Sequence, residues 1–255
     1  MRHIPRKRFG QNFLVDPQVV HNILQAILPL RNDILVEIGP GLGALTKPLL
    51  DSINHLHVIE IDRDIVSCLT QKYSVEKLTV HSSDALKFNF STLGKNVRVV
   101  GNLPYNISTP ILFHLRKFSK NICDMHFMLQ KEVVERMVAE PSTSSYGRLS
   151  IMLQCHFEME QLFTVQPESF LPAPKIQSAI VRMIPLNRKM INEDEEDLFS
   201  AIVTAAFSKR RKTISNTLQD YLKPEDFDVL EINPRLRAEN LSVAQFVAIT
   251  NFITQ

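Results

Sequence analysis

Short apolar runs alternate with amphipathic stretches along the first half of the chain. The runs have the length and β-branched content of buried strands, and they predict strands at Ile34–Ile38, Leu56–Ile61, Leu78–His81, Val97–Gly101 and Met125–Leu129. Between them, apolar residues recur at helical spacing, as in the segment from Asp16 to Pro29. Strands and helices that alternate in this way predict a parallel sheet covered by helices on both faces.

The second half of the chain has a different pattern. Strand-like runs at His156–Phe163 and Ile176–Ile184 follow one another without a long helix between them, which predicts an antiparallel hairpin at one sheet edge. Beyond this hairpin the chain becomes highly charged and then has helical patterns interrupted by prolines. We therefore expect an α/β, Rossmann-like catalytic domain over residues 1–186 and a small all-helical domain over residues 187–255.

Composition excludes several classes of protein. The chain of 255 residues is 44% hydrophobic, which is enough for a packed core and excludes a mainly disordered protein. Its apolar runs are shorter than the roughly 20 residues of a membrane span, and its basic N-terminus has no apolar signal segment. The cysteines Cys68, Cys123 and Cys155 are odd in number and have no Cys-X-X-Cys spacing. We expect a soluble cytoplasmic monomer without a metal site.

A glycine-rich loop and two acids follow successive predicted strands. Gly39, Gly41 and Gly43 lie between a strand and a helix, where free backbone N–H groups suit a phosphate or a carboxylate. Glu60 ends the second strand and Asp84 follows the third, so both acids belong to the same sheet edge. Each feature alone also fits a tight turn or a solvated carboxylate. Together they predict an adenosine-containing cofactor, either NAD or S-adenosylmethionine.

The tetrapeptide Asn102-Leu103-Pro104-Tyr105 follows the fourth predicted strand. The exocyclic amine of adenine is a poor nucleophile because its lone pair is delocalised into the ring. The Asn102 amide oxygen and the Leu103 carbonyl would favour a pyramidal nitrogen and stabilise the positive charge that develops on it. Pro104 would restrict the backbone, and Tyr105 would stack on the base. A turn that merely ends a strand is the alternative, but the position favours S-adenosylmethionine and methylation of adenine.

Longer blocks of sequence resemble those of a known family. The matching blocks are Phe9–Leu14, Glu37–Thr46, Ile59–Asp64, Asp84–Leu86, Asn102–Pro110, Phe170–Lys175 and Ala206–Thr213. The chain thus resembles the bacterial small-subunit ribosomal RNA adenine N6,N6-dimethyltransferases, known for kasugamycin sensitivity, whose relatives include the erythromycin-resistance methyltransferases. Ser83 and Ser169 depart from the family pattern, in which a glycine and an alanine are common at these positions.

The resemblance implies roles for the matched residues. Those implied to contact S-adenosyl-L-methionine are Asn12, Leu14, Gly39, Gly41, Glu60, Asp84 and Asn102. Those implied to hold the target adenine are Asn102, Leu103, Pro104 and Tyr105, with Phe170 facing the base from the other side. The family dimethylates two adjacent adenosines in a hairpin loop near the 3′ end of small-subunit RNA, late in subunit assembly. Small-subunit RNA and the assembling small subunit are therefore the implied partners.

Basic residues form two clusters although the net charge is only +2. The first cluster consists of Arg6, Lys7 and Arg8. The second consists of Lys209, Arg210, Arg211 and Lys212, which we expect to open a helix with an apolar opposite side. Both clusters would contact RNA phosphates, with a solvated surface as the alternative. The acidic run 193–197 is interpreted as a solvated linker.

Other functions remain open at this point. An adenine methyltransferase of the large subunit, of the macrolide-resistance type, would share the motifs, although the Ala206–Thr213 block favours the small subunit. An assembly or mitochondrial transcription factor would retain the fold without catalysis, and the intact tetrapeptide argues against it. A nicotinamide dehydrogenase is a third alternative, which would bind NAD in preference to S-adenosylmethionine.

Overall fold

A computed structural model describes residues 12–105 and 107–254. The strands are β1 (Phe13–Leu14), β2 (Ile34–Ile38), β3 (Leu56–Glu60), β4 (Leu78–Ser82), β5 (Val97–Asn102), β6 (Ile122–Gln130), β7 (Phe157–Val165), β8 (Phe170–Leu171) and β9 (Ser178–Pro185). The α-helices are α1 (Pro17–Ile27), α2 (Thr46–Ser52), α3 (Arg63–Lys72), α4 (Ser108–Arg116), α5 (Lys131–Met137), α6 (Arg148–Gln154), α7 (Glu196–Ala206), α8 (Ile214–Thr217), α9 (Asp226–Val229) and α10 (Val243–Thr254). None of these described helices is long and apolar enough to cross a membrane.

Seven strands form the main sheet, in the order β4-β3-β2-β5-β6-β9-β7. Strands β2 to β6 pair in parallel, and β9 pairs antiparallel with β6. Leu35, Val36 and Ile38 of β2 are all buried, as expected for a strand covered on both faces. The predicted parallel sheet is confirmed. The two later strands take neighbouring positions at one edge, as the sequence predicts.

A two-stranded sheet fastens the start of the described chain to a later loop. Strand β1 pairs antiparallel with β8, and Leu14 lies opposite Phe170. Asp16 reinforces this attachment: one carboxylate oxygen accepts the N–H of Gln18 at 2.9 Å and caps α1, and the other accepts the Ser169 hydroxyl at 2.9 Å. The hydroxyl of Ser169 is therefore the main reason for the lowered pKa of Asp16. Nothing in the hydrophobic pattern predicted this pairing.

A partly buried ion network joins α1 to the main sheet. Arg98 of β5 donates to the carboxylates of Asp33 and Asp124, at 2.7 Å each. It also donates to the carbonyl of Ile27 at 2.6 Å, where α1 ends. A guanidinium at the carbonyl end of a helix complements the helix dipole. The network fixes this end of α1 on the sheet.

The chain divides into two compact units. One comprises the residues up to 134 together with 160–185, and the other comprises 135–159 together with the residues from 186 onward. The domain boundary predicted at 186/187 lies next to the end of the first unit. However, the second unit also includes residues 135–159, which the prediction assigned to the first domain. This segment contains α6, a helix that the sequence pattern did not indicate.

Two expectations about charged segments are wrong in detail. The acidic run 193–197 is not merely a linker, because Glu195 is the N-cap residue of α7 and Glu196 and Asp197 lie in its first turn. Acids at this end of a helix complement the helix dipole. The basic block 209–212 does not open a helix but lies in the exposed turn region before α8. In a helix, Lys209 and Lys212 would be neighbouring like charges on one face, which is destabilising, whereas all four side chains are exposed in this turn.

Candidate active site

The carboxyl ends of the parallel strands surround a cavity of about 230 Å³. Its wall is built from the ends of β2, β3 and β5, from the segment after β4 and from the segment around β1. The predicted site residues that line it are Asn12, Leu14, Gly39, Gly41, Glu60, Asp84, Asn102, Leu103, Pro104 and Tyr105. The sheet topology therefore brings together side chains that are far apart in sequence.

The glycine loop adopts a backbone that other residues rarely adopt. Gly39 and Gly41 have φ angles of +67° and +54°. A Cβ atom on Gly41 would lie 3.1 Å from two ring atoms of Phe13, so the loop lets this ring pack directly on its backbone. Gly101, which the sequence did not single out, has a similar role, because a Cβ there would lie 2.7 Å from the carbonyl oxygen of Ile38.

Backbone N–H groups fix the two predicted carboxylates. Oε1 of Glu60 accepts the N–H groups of Ile61 and Asp62, both at 2.8 Å. Burial raises the pKa of Glu60, and these hydrogen bonds partly oppose that change. Oδ1 of Asp84 accepts the N–H of Leu86 at 3.0 Å. Both carboxylates line the cavity in defined orientations, which suits recognition of hydroxyl and amino groups.

Glu37 is a third acid in the cavity wall, and it was not among the predicted site residues. Its side chain is only 2% exposed, and burial raises its pKa to about 7. The Thr46 hydroxyl donates to it at 2.7 Å and opposes the rise in pKa, whereas the charge of Glu60 adds to it. A signal was present in the sequence, because Glu37 interrupts an otherwise apolar strand two positions before the first glycine of the loop.

The electrostatic character of the cavity distinguishes between nucleotide cofactors. Three carboxyl groups, of Glu37, Glu60 and Asp84, contribute to the wall, and no Lys, Arg or His is among its described lining residues. A pyrophosphate, as in NAD, would meet these acids without a compensating cation. A sulfonium, an ammonium and ribose hydroxyls would each find a suitable acceptor. The residues of the site therefore fit S-adenosylmethionine.

Asn102 and Leu103 offer two hydrogen-bond acceptors at the end of β5. The amide nitrogen of Asn102 donates to the backbone carbonyl of Asn12 at 3.1 Å. Its amide oxygen has no hydrogen-bond partner among the described residues. The Leu103 N–H donates to the Met128 carbonyl at 3.2 Å, and the Leu103 carbonyl likewise has no described donor. Neither predicted acceptor is paired within the described residues, and both residues line the cavity.

Of the two predicted aromatic residues, only Tyr105 lines the cavity. Phe170 is 4% exposed and belongs to the hydrophobic core cluster that contains Leu14, Met128 and Ile180. Its partner in β8, Leu171, is 65% exposed. The structure therefore does not bring Phe170 to the cavity, and its contact with a base stays a prediction.

Comparison with known proteins identifies the family. The sequence model of the family described as ribosomal RNA adenine dimethylase matches residues 2–255 of the chain. The chain belongs to this family. It is 65% identical over 255 residues to ribosomal RNA small subunit methyltransferase A of Nitrosospira multiformis, covering 100% of this chain and 98% of the relative. The protein of the same description from Aromatoleum aromaticum is 58% identical over 251 residues, covering 98% of this chain and 95% of the relative.

Solved structures of dimethylases and related enzymes have the same fold. A dimethyladenosine transferase from Plasmodium falciparum is 28% identical with a TM-score of 0.79, covering 93% of this chain and 95% of the other. The 23S rRNA methyltransferase ErmE is 24% identical with a TM-score of 0.74, covering 96% of this chain and 100% of the other, and this likeness shows the fold alone. The family membership and the Rossmann-like fold predicted from the sequence are confirmed.

The two predicted basic clusters of this dimethylase family member are not among the residues that line the cavity. Arg6, Lys7 and Arg8 lie outside the described residues. Lys209, Arg210, Arg211 and Lys212 are all exposed, and no ion pair involves them in the described part of the chain. The Ile214 N–H donates to the Leu236 carbonyl at 2.8 Å, which holds the exposed Arg235 and Arg237 close to this block.

The described residues of this family member contain no group of three or more His, Cys, Asp or Glu side chains suited to a metal ion.

Proposed function

We propose that the chain is an S-adenosylmethionine-dependent methyltransferase that dimethylates N6 of adenosines in small-subunit ribosomal RNA. The observation that carries this proposal is the pair of available acceptors, the Asn102 amide oxygen and the Leu103 carbonyl, at a cavity walled by three acids. Family membership and relatives named for the small subunit support it.

The cofactor would supply an electrophilic methyl group on a positively charged sulfur. Glu60 would accept the ribose hydroxyls, and Asp84 would accept the adenine amine of the cofactor. Asn12, Leu14, Gly39 and Gly41 would complete the wall around it. The carboxylates favour the cationic cofactor over its neutral demethylated product, so they favour exchange after each transfer.

Asn102 and Leu103 would act on the target amine. Their oxygens would accept hydrogen bonds from its two N–H groups and thereby reduce the delocalisation of the nitrogen lone pair into the ring. These hydrogen bonds strengthen as positive charge develops on the nitrogen, so they stabilise the transition state more than the ground state. After the first methylation one hydrogen remains, and a single acceptor still holds the amine for the second transfer.

A general base is not required for this chemistry. A neutral amide cannot take a proton at neutral pH, so the Asn102 side chain would act by orientation and electrostatics. The methylated nitrogen is strongly acidic while it carries the extra proton, which is lost to water once transfer is complete. On this proposal no metal ion takes part.

Recognition of the RNA would combine phosphate contacts with an extruded base. Tyr105 lines the cavity and would offer its aromatic face to the base, and a base in a hairpin loop is already partly unstacked. The block 209–212 would contact phosphates together with Arg235 and Arg237, and Arg6, Lys7 and Arg8 would add a second basic segment. Phe170 would contact the base only after leaving the core cluster.

The substrate of this family member would be two adjacent adenosines in a hairpin loop near the 3′ end of the RNA, in a late assembly intermediate of the small subunit. We propose that the enzyme acts on it as a cytoplasmic monomer. The assay that tests this proposal offers unmethylated small and large subunits separately to the purified protein with labelled S-adenosylmethionine. Label in adenines of the small subunit alone supports the proposal. Label in the large subunit supports the macrolide-resistance type, and no label in either supports a non-catalytic assembly factor.

A further inference from the structure

Two buried serine hydroxyls hold Tyr105 at its two ends. The Tyr105 hydroxyl and the Ser178 Oγ form a hydrogen bond of 2.9 Å. The Ser108 hydroxyl donates to the Tyr105 backbone carbonyl, also at 2.9 Å. Ser178 is 0% exposed and Ser108 is 2% exposed, so water does not replace these contacts readily. The tip of the ring and the backbone that carries it are therefore both fixed.

Ser178 belongs to a rigid part of the sheet. It is the first residue of β9, and its Cα partner across the antiparallel pair is Gln130, the last residue of β6. The Lys131 N–H donates to the Gln177 carbonyl at 3.0 Å and extends this pairing by one position. A hydroxyl on a paired strand is a fixed anchor, whereas Tyr105 lies in a turn between β5 and α4.

We propose that Ser178 is a positioning residue for methyl transfer. Through the Tyr105 hydroxyl it fixes the ring on which the target adenine stacks, and so it fixes the distance from the exocyclic amine to the methyl group. This inference rests on the proposed function, because it assigns Ser178 a part in that same site. The sequence gives no local signal for it, since 73 positions separate the two residues.

The physical reason is the steep dependence of transfer on geometry. Without the bond, the Tyr105 side chain gains access to other rotamers, and its free hydroxyl competes for the polar edge of the base. A displacement of about 1 Å at a reacting centre lowers the rate by up to ~10²-fold. The bond also occupies the hydroxyl, so that the ring offers the target only its apolar face.

A double-mutant cycle tests this inference. The variants are Ser178→Ala, Tyr105→Phe and the double variant, measured by single-turnover transfer to small subunits at saturating cofactor. Each single variant is expected to lower the transfer rate about tenfold, and the double variant is expected to be no slower than the slower single variant. The cofactor dissociation constant is expected to stay within about twofold of the wild-type value, because Ser178 acts on the target base through Tyr105 and not on the cofactor.

Ser150→Ala is the matched control. Ser150 is 0% exposed and its hydroxyl donates to the Arg136 carbonyl, so the variant also removes a buried serine hydroxyl, but one outside the cavity wall. Wild-type transfer by Ser178→Ala, or effects of Ser178→Ala and Tyr105→Phe that multiply, overturns the inference. If Ser178→Ala does not fold, Tyr105→Phe still tests the inference, because it removes only the oxygen that bonds to Ser178. A wild-type transfer rate of Tyr105→Phe also overturns the inference. If the wild-type protein and Ser150→Ala both fail to methylate small subunits, the proposed function itself fails.

Discussion

The Asn102 amide donates to the backbone carbonyl of Asn12 at 3.1 Å, across 90 positions of sequence. The bond uses the amide nitrogen and thereby leaves the amide oxygen as the group offered to a ligand. Asn12 belongs to the segment that β1 and β8 fasten in place. The segment around Asn12, which lines the cavity, therefore sets the orientation of Asn102, the residue that would hold the target amine.

Asn102→Asp separates the two hydrogen bonds of this side chain, the one that it donates to the Asn12 carbonyl and the one that it would accept from the target amine. A carboxylate keeps an acceptor for the target amine but has no N–H for the Asn12 carbonyl, which it would repel. We expect Asn102→Asp and Asn102→Ala both to lower the turnover number by roughly 10²-fold or more, the scale of losing a transition-state acceptor. Cofactor affinity is expected to change only modestly, as calorimetric titration would measure. Turnover by Asn102→Asp close to that of the wild type would mean that the bond to Asn12 does not orient the amide.

Glu60→Ala is expected to weaken binding of the cofactor rather than binding of the target RNA. It removes the carboxylate whose Oε1 two backbone N–H groups fix beside the cavity, so the dissociation constant for S-adenosylmethionine is expected to rise at least tenfold, roughly the loss of a charged hydrogen bond. Equilibrium titration measures this change, with Glu158→Ala on the exposed face of β7 as the control. An unaltered titration removes Glu60 from the site. Full complementation of a deletion strain by Glu60→Ala would support a non-catalytic role.

The pKa of Glu37 predicts how cofactor affinity depends on pH. Burial raises this pKa to about 7, so the group is partly protonated at neutral pH. A cationic cofactor favours the carboxylate, so binding releases a proton and lowers the pKa. Affinity is therefore expected to fall as the pH falls below about 7, approaching tenfold per pH unit at most.

Glu37→Gln removes the titrating group and is expected to flatten this dependence between about pH 6 and pH 8. Calorimetric titration in buffers of different ionisation enthalpy counts the released protons. A wild-type affinity that stays constant through this range, or a Glu37→Gln variant with the same slope as the wild type, would contradict the assignment.

Neutralising the basic block 209–212 tests the RNA surface. Replacing Lys209, Arg210, Arg211 and Lys212 by glutamine is expected to weaken binding to small subunits and to reduce the slope of log affinity against log salt by about one for each phosphate that the block neutralises. Filter binding at several salt concentrations measures this slope. As a control, the same replacement at Lys117 and Lys120 removes two exposed cations outside the block. An identical salt slope would show that the block does not contact the RNA.

The hydrophobic pattern of the sequence was sufficient to predict the parallel sheet and the residues that gather at its carboxyl edge. The strands ending at Ile38, Glu60 and Asn102 are compact, mostly apolar runs with candidate site residues at their ends or directly after them, and topology alone then places those residues together. The hydrophobic pattern did not predict β1 and β8, because a strand of two residues is too short to show an alternating pattern. Their pairing depends on contacts between segments far apart in sequence.

Side-chain burial was also beyond the sequence pattern. Phe170 and Leu171 are adjacent apolar residues, and only the strand pairing decides that the first enters the core while the second is exposed. Likewise, the bond between Tyr105 and Ser178 follows from the position of β9 beside β6, which no local motif encodes. The acidic run 193–197 could have been recognised as a helix start, because acids favour the first turn.

The most direct test of the pair of acceptors is nucleoside mass analysis of small-subunit ribosomal RNA from cells that lack this protein. We expect N6,N6-dimethyladenosine to be absent from this RNA, the wild-type protein to restore it, and Asn102→Ala not to restore it. Dimethyladenosine that persists without the protein, or that Asn102→Ala restores in full, would show that these two oxygens do not act on the target amine.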